Sequence, residues 1–147
     1  MRSGSDRRNG QTTMSSGLTG IVAAAILGAL GAHHASAAEL FVIAHPRADL
    51  SAVEIRDVFL GEKQFSGSSR IVPVDNDAAQ KFLLDKVMRM SDSKYSTVWI
   101  KKSFREGLNP PPLKSGDAEV IDFVMRTPGA VGYVTTAPGR AKILLTY

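Results

Sequence analysis

The stretch Ile71 to Phe82, IVPVDNDAAQKF, joins a short apolar run to an amphipathic pattern, and so predicts a buried strand running into a helix. A helix N-terminus carries unpaired backbone N–H groups and the positive end of the helix dipole, which makes such a junction a natural seat for an anion. Here the junction holds two aspartates, Asp75 and Asp77. Either a small oxyanion sits among Asp75, Asn76, Asp77, Ala78, Ala79 and Gln80, with Arg70 upstream as a cationic donor, or a carboxylate of the chain fills the seat. Aspartate near a helix start satisfies the same donors, and two carboxylates would repel a bound dianion by about 1 to 4 kcal/mol per charge pair. The spacing therefore predicts capping by the aspartates. Asp-x-Asp also offers hard oxygen ligands, but the glycine and closing glutamate of a calcium loop are absent, so no metal site is expected.

Working outward, Ala78, Phe82, Leu83, Val87 and Met90 share one face of a helix expected over Asp77 to Met90. Ser91 can cap a second helix, in which Tyr95, Val98, Trp99 and Lys102 recur at helical spacing up to Gly107. The segment NPPPL (Asn109 to Leu113) is expected to be extended and outside any ladder. Asp117 to Arg126 reads as a short helix, and AVGYV (Ala130 to Val134) and KILLTY (Lys142 to Tyr147) as strands. Upstream, ELFVIAH (Glu39 to His45) reads as a strand. Ser51-Ala52-Val53-Glu54 has capping-box spacing before a helix with Val53, Ile55, Val58, Phe59 and Leu60 apolar, and Gly61 suits its end. Pro73 points to an edge strand or a bulge. Helices alternating with strands argue an α/β fold, a small sheet covered by helices.

Residues 1–37 read as a secretory signal: Arg2, Arg7 and Arg8, an apolar run from Gly17 to Ala32, and Ala35-Ser36-Ala37 as a cleavage pattern. The apolar run is shorter than a spanning helix requires. Cleavage would leave residues 38–147 as one small domain with no membrane span. Three basic residues and one acidic residue lie in the leader, so the formal charge falls from +4 to +2. That balance gives no ground for a nucleic-acid partner. Cysteine is absent, so neither a disulfide nor a cysteine metal site is available.

Taken in order, LSAVEIRDVFLGE (Leu50 to Glu62), IVPVD (Ile71 to Asp75) and AEVIDFVMRTPGAVGYV (Ala118 to Val134) resemble the phosphate-type solute-binding proteins of ABC transporters. The resemblance covers roughly residues 40 to 135. It implies a single lobe of a type 2 periplasmic-binding fold, periplasmic location, a phosphate or sulfate ligand and an ABC permease as partner. It also implies an arginine and a Ser-Gly-Thr turn where this chain has Asp75-Asn76-Asp77-Ala78-Ala79. Full-length members grip the anion between two lobes, and residues 38–147 suffice for one. The open face would then meet a homodimer partner or another periplasmic protein. The alternative reading is an interaction or sensory module that keeps the fold without anion transport.

No nucleophile motif, His-Glu-x-x-His or phosphate loop is present, and His45 would be the lone histidine of the mature chain. A non-enzyme without cofactors is expected. Lys101, Lys102, Arg105 and Lys114 near Trp99 and Phe104 read as a solvated face, with Lys102 laying its stem along apolar surface.

Overall fold

A computed structural model describes residues 38–147, and the expected leader lies outside the described residues. In chain order the elements are β1 (Phe41–Ala44), a 3-10 turn (Ala52–Glu54), α1 (Ile55–Phe59), β2 (Phe65–Ser66), β3 (Ser69–Arg70), β4 (Val72–Pro73) and β5 (Asp75–Asn76). There follow α2 (Gln80–Leu83), a π-helical turn (Leu84–Met88), α3 (Asp92–Glu106), β6 (Leu113–Lys114), α4 (Asp117–Arg126), β7 (Ala130–Val134) and β8 (Lys142–Thr146).

The central sheet has the order β4-β7-β1-β8 and is mixed: β1 is antiparallel to β7 and β8, while β4 runs parallel to β7. Period-two alternation splits its side chains between two cores. Val42, Ala44, Val131 and Tyr133 pack with Ile55, Val58 and Phe59 of α1, Leu83, Met88, Tyr95 and Trp99. Ile43, Ala130 and Val134 pack with Val120 and Val124 of α4. Gly132 lets α4 close on the sheet, because a Cβ there would lie 2.6 Å from Val120 Cγ1 and 2.9 Å from Val74 Cγ1. Gly129, at φ +80°, brings its turn so near the neighbouring strand that a Cβ would lie 2.1 Å from the Arg70 carbonyl oxygen.

The expected elements are present with three corrections. Helix Asp77 to Met90 is not continuous: a turn precedes α2, the chain widens into the π turn, and Arg89 takes a left-handed conformation at φ 53°. The Arg56 guanidinium donates to the Met88 carbonyl, satisfying a group the interrupted helix leaves open. Val53 is 86% exposed, because the helix start is a 3-10 turn whose phase turns it away from the core. The capping box at Ser51 forms as expected, and its backbone N–H and hydroxyl both donate to the Glu54 carboxylate. Lys63 and these bonds hold Glu54 down to about 2. Finally, the proline segment does enter a ladder, since proline lacks a donor yet keeps its carbonyl: Pro112 accepts from the Asp75 N–H, and β6 pairs parallel with β5. Ser91 caps α3 as expected, accepting from the Lys94 N–H.

Candidate binding site

At the junction after Val74 four backbone donors are already used. Asp75 N–H donates to Pro112 O and Asp77 N–H to Lys114 O, both at 2.9 Å. Ala79 N–H donates to Asn76 O at 3.1 Å, and Ala78 N–H to Asn76 Oδ1 at 3.2 Å. These donors are met from within, by the Asn76 carboxamide and carbonyl and the β6 ladder rather than by an aspartate side chain. Neither aspartate caps α2, whose N-cap is Ala79. Asp77 is exposed, and Asp75 turns into the core.

Asn76 is fully buried and every polar atom of its side chain is engaged. Its Nδ2 donates to Asp117 Oδ1 at 2.7 Å and to Tyr133 O at 3.0 Å. Burial opposes ionisation of Asp117, yet donors from Asn76 and Thr135 outweigh it and hold the carboxyl below its ordinary range. This network ties β5, the start of α4 and the end of β7 together.

Asp75 is 4% exposed. The Tyr133 hydroxyl donates to its Oδ1 at 2.9 Å and the Tyr95 hydroxyl to its Oδ2 at 3.1 Å. Among the described residues it makes no ion pair. Burial pushes its carboxyl up to about 6, against the pull of the Tyr133, Tyr95 and Gln80 side chains. Both tyrosines are in turn driven well above their ordinary range by burial and by the Asp75 charge. A carboxylate so placed repels an anion.

The residues named from the sequence thus divide. Asp75 and Gln80 line an apolar groove of about 500 Å³ along α3, with Tyr95, Trp99 and Phe104. Arg70 lines a different cleft of about 360 Å³, with Arg47, Asp49, Ser66, Ser69 and the Gly129 turn. Among the described residues neither Arg47 nor Arg70 makes an ion pair, and the Ser66 hydroxyl is engaged by the Asp49 carbonyl. Sequence reasoning missed the two tyrosines on Asp75 and the cleft that Arg47 and Arg70 both line. The tyrosines stand 20 and 58 residues from Asp75, and no local spacing signals either contact.

Trp99 is a buried anchor whose indole N–H donates to Phe59 O at 3.2 Å, and Lys102 pairs with Glu106 beside it. His45 accepts from the Arg47 N–H in a turn. Among the described residues no cluster of three histidine, cysteine or acidic side chains could hold a metal, and no helix is long and apolar enough to cross a membrane.

No protein-family model matches the chain, and no curated protein matches it. Solved structures do. One, from Clostridium perfringens, assigned as a phosphate ABC transporter substrate-binding protein with bound phosphate, aligns at a TM-score of 0.53 and 15% identity, over 73% of this chain and 45% of that one. An ABC-type phosphate transport receptor from Vibrio cholerae aligns at 0.50 and 13% identity, over 73% and 46%. This chain thus spans less than half the length of either. The described chain has the α/β periplasmic-binding-protein fold, shared with these phosphate-type substrate-binding proteins.

Proposed function

We propose that the protein is an exported, non-catalytic substrate-binding-type protein that takes a small oxyanion, phosphate or sulfate, in the cleft between Arg47 and Arg70. The observation that carries this is that Arg47 and Arg70, without ion-pair partners among the described residues, line one cleft together with Ser69. Planar guanidinium forks match tetrahedral oxyanions. The fold shared with phosphate-type receptors supports the ligand class, and the Arg-rich, apolar N-terminal pattern supports export. The strand-to-helix junction is the weaker candidate, since four of its donors are used and the buried Asp75 adds negative charge. Transport would further require an ABC permease, and an open face of this size suits a second copy or another periplasmic protein.

Calorimetric titration of the protein with phosphate and with sulfate at low salt tests the reading. Saturable binding is expected, lost by about tenfold or more per arginine in Arg47→Ala and Arg70→Ala, as removal of a charge-assisted hydrogen bond implies. The double variant Asp75→Ala, Asp77→Ala should leave it unchanged. Absence of binding, or binding that survives loss of both arginines, overturns the proposal and favours an interaction module that keeps the fold without the anion.

A further inference from the structure

The groove along α3 has a chemistry opposite to that of the arginine cleft. Its charged lining residues are Asp75 and Asp92, and no lysine or arginine lines it. Tyr95 and Trp99 form its wall on α3, and Pro110 and Pro111 lie across from them. At its rim Phe104 is 94%, Ile100 67% and Leu113 56% exposed. A helix that turns its apolar side chains outward beside a cavity leaves a surface suited to an apolar guest.

Within this groove stands a buried carboxylate whose hydrogen-bonding partners are neutral. Two phenol hydroxyls donate to Asp75, but they bring no positive charge. Buried charges are ordinarily paired. A carboxylate offers about four lone-pair sites, so acceptor capacity remains beyond these phenols and the uncharged Gln80 side chain. An ammonium there would supply the missing charge, while an aromatic lining that includes Trp99 and Phe104 favours a cation or an aromatic body over an anion.

We propose that this groove binds a small amphipathic organic cation, a protonated amine on an apolar or aromatic body, with its ammonium against Asp75 and its body along Trp99 and Phe104. The site is separate from the arginine cleft, and the proposal does not rest on oxyanion binding there.

Trp99 is the single tryptophan of the chain and lines the groove, so its fluorescence reports occupancy. The protein is titrated at pH 8 with 2-phenylethylammonium, neutral 2-phenylethanol and phenylacetate, which share a body and differ in charge. The amine should bind about tenfold or more tightly than the alcohol, as expected for a hydrogen bond to a charged group, with the acid weakest. Asp75→Asn should abolish the preference for the amine. Phe104→Ala, at an exposed position that folding does not need, should weaken amine and alcohol alike. Arg47→Ala and Arg70→Ala should change none of these affinities, so a failure of the oxyanion reading is distinguishable from a failure here. Equal affinity for amine and alcohol, tighter binding of the acid, no saturable response, or an amine preference that persists in Asp75→Asn overturns the proposal.

Discussion

Replacing Asp75 with asparagine should stabilise the protein above neutral pH and leave it nearly unchanged near pH 4. Burial raises the Asp75 carboxyl from its ordinary 3.8 to about 6. At about 1.36 kcal/mol per pH unit, that difference amounts to about 3 kcal/mol of folding free energy. The sign follows from proton counting. Between these two values the folded state holds a proton that the unfolded state has released, so stability falls as pH rises through about 6. Below 3.8 both states are protonated and the contribution is complete. Glu54, Asp117 and Glu119 are shifted downward, and their contribution is lost as pH falls below the ordinary carboxylate range. The natural protein should therefore be most stable near pH 4 to 5, with a falling limb to pH 7. Asparagine can accept from Tyr133 through its oxygen and donate to the Tyr95 hydroxyl, which rotates to suit. Urea denaturation of both proteins at pH 4, 5, 6, 7 and 8 measures the effect, and groups common to both cancel in the difference. The variant should match the natural protein at pH 4 and exceed it by up to about 3 kcal/mol at pH 8. A difference that does not vary with pH, or a variant less stable at pH 8, would refute the reasoning.

Two further perturbations test the packing that positions the site. Gly132→Ala should cost about 1 to 3 kcal/mol, because the added methyl meets Val120 of α4 at 2.6 Å and Val74, between β4 and β5, at 2.9 Å; equilibrium denaturation measures it, and a neutral result would mean that α4 shifts easily. Asn76→Ala should cost about 2 to 4 kcal/mol by leaving the buried Tyr133 carbonyl and the Ala78 N–H without partners. Faster amide exchange at Ala78 should accompany that loss.

Much of the architecture was legible from local pattern. The apolar runs at Val42 and at Val131 to Val134 are strands, Ser91 caps α3, Gly61 ends its turn left-handed, and Gly132 admits a close neighbour, because each depends on residues within a few positions. The break in the helix after Leu83 was not legible, since its amphipathic spacing continues through Met90 and the group that completes it, Arg56, lies 32 residues away. The Pro112 carbonyl escaped for the opposite reason: proline was read for the donor it lacks rather than the acceptor it keeps.

The site divides in the same way. By itself the sequence determined that the strand-to-helix junction carries two aspartates, and that the chain alternates strand and helix as this fold requires. Tertiary structure alone decided which groups engage that junction, sending Asp75 inward to two distant tyrosines, setting the Asn76 carboxamide against the Ala78 N–H, and giving Arg47 and Arg70 a separate cleft to line. Backbone periodicity is encoded over three or four residues, whereas the partner of a buried charge is chosen by whichever strands and helices pack around it.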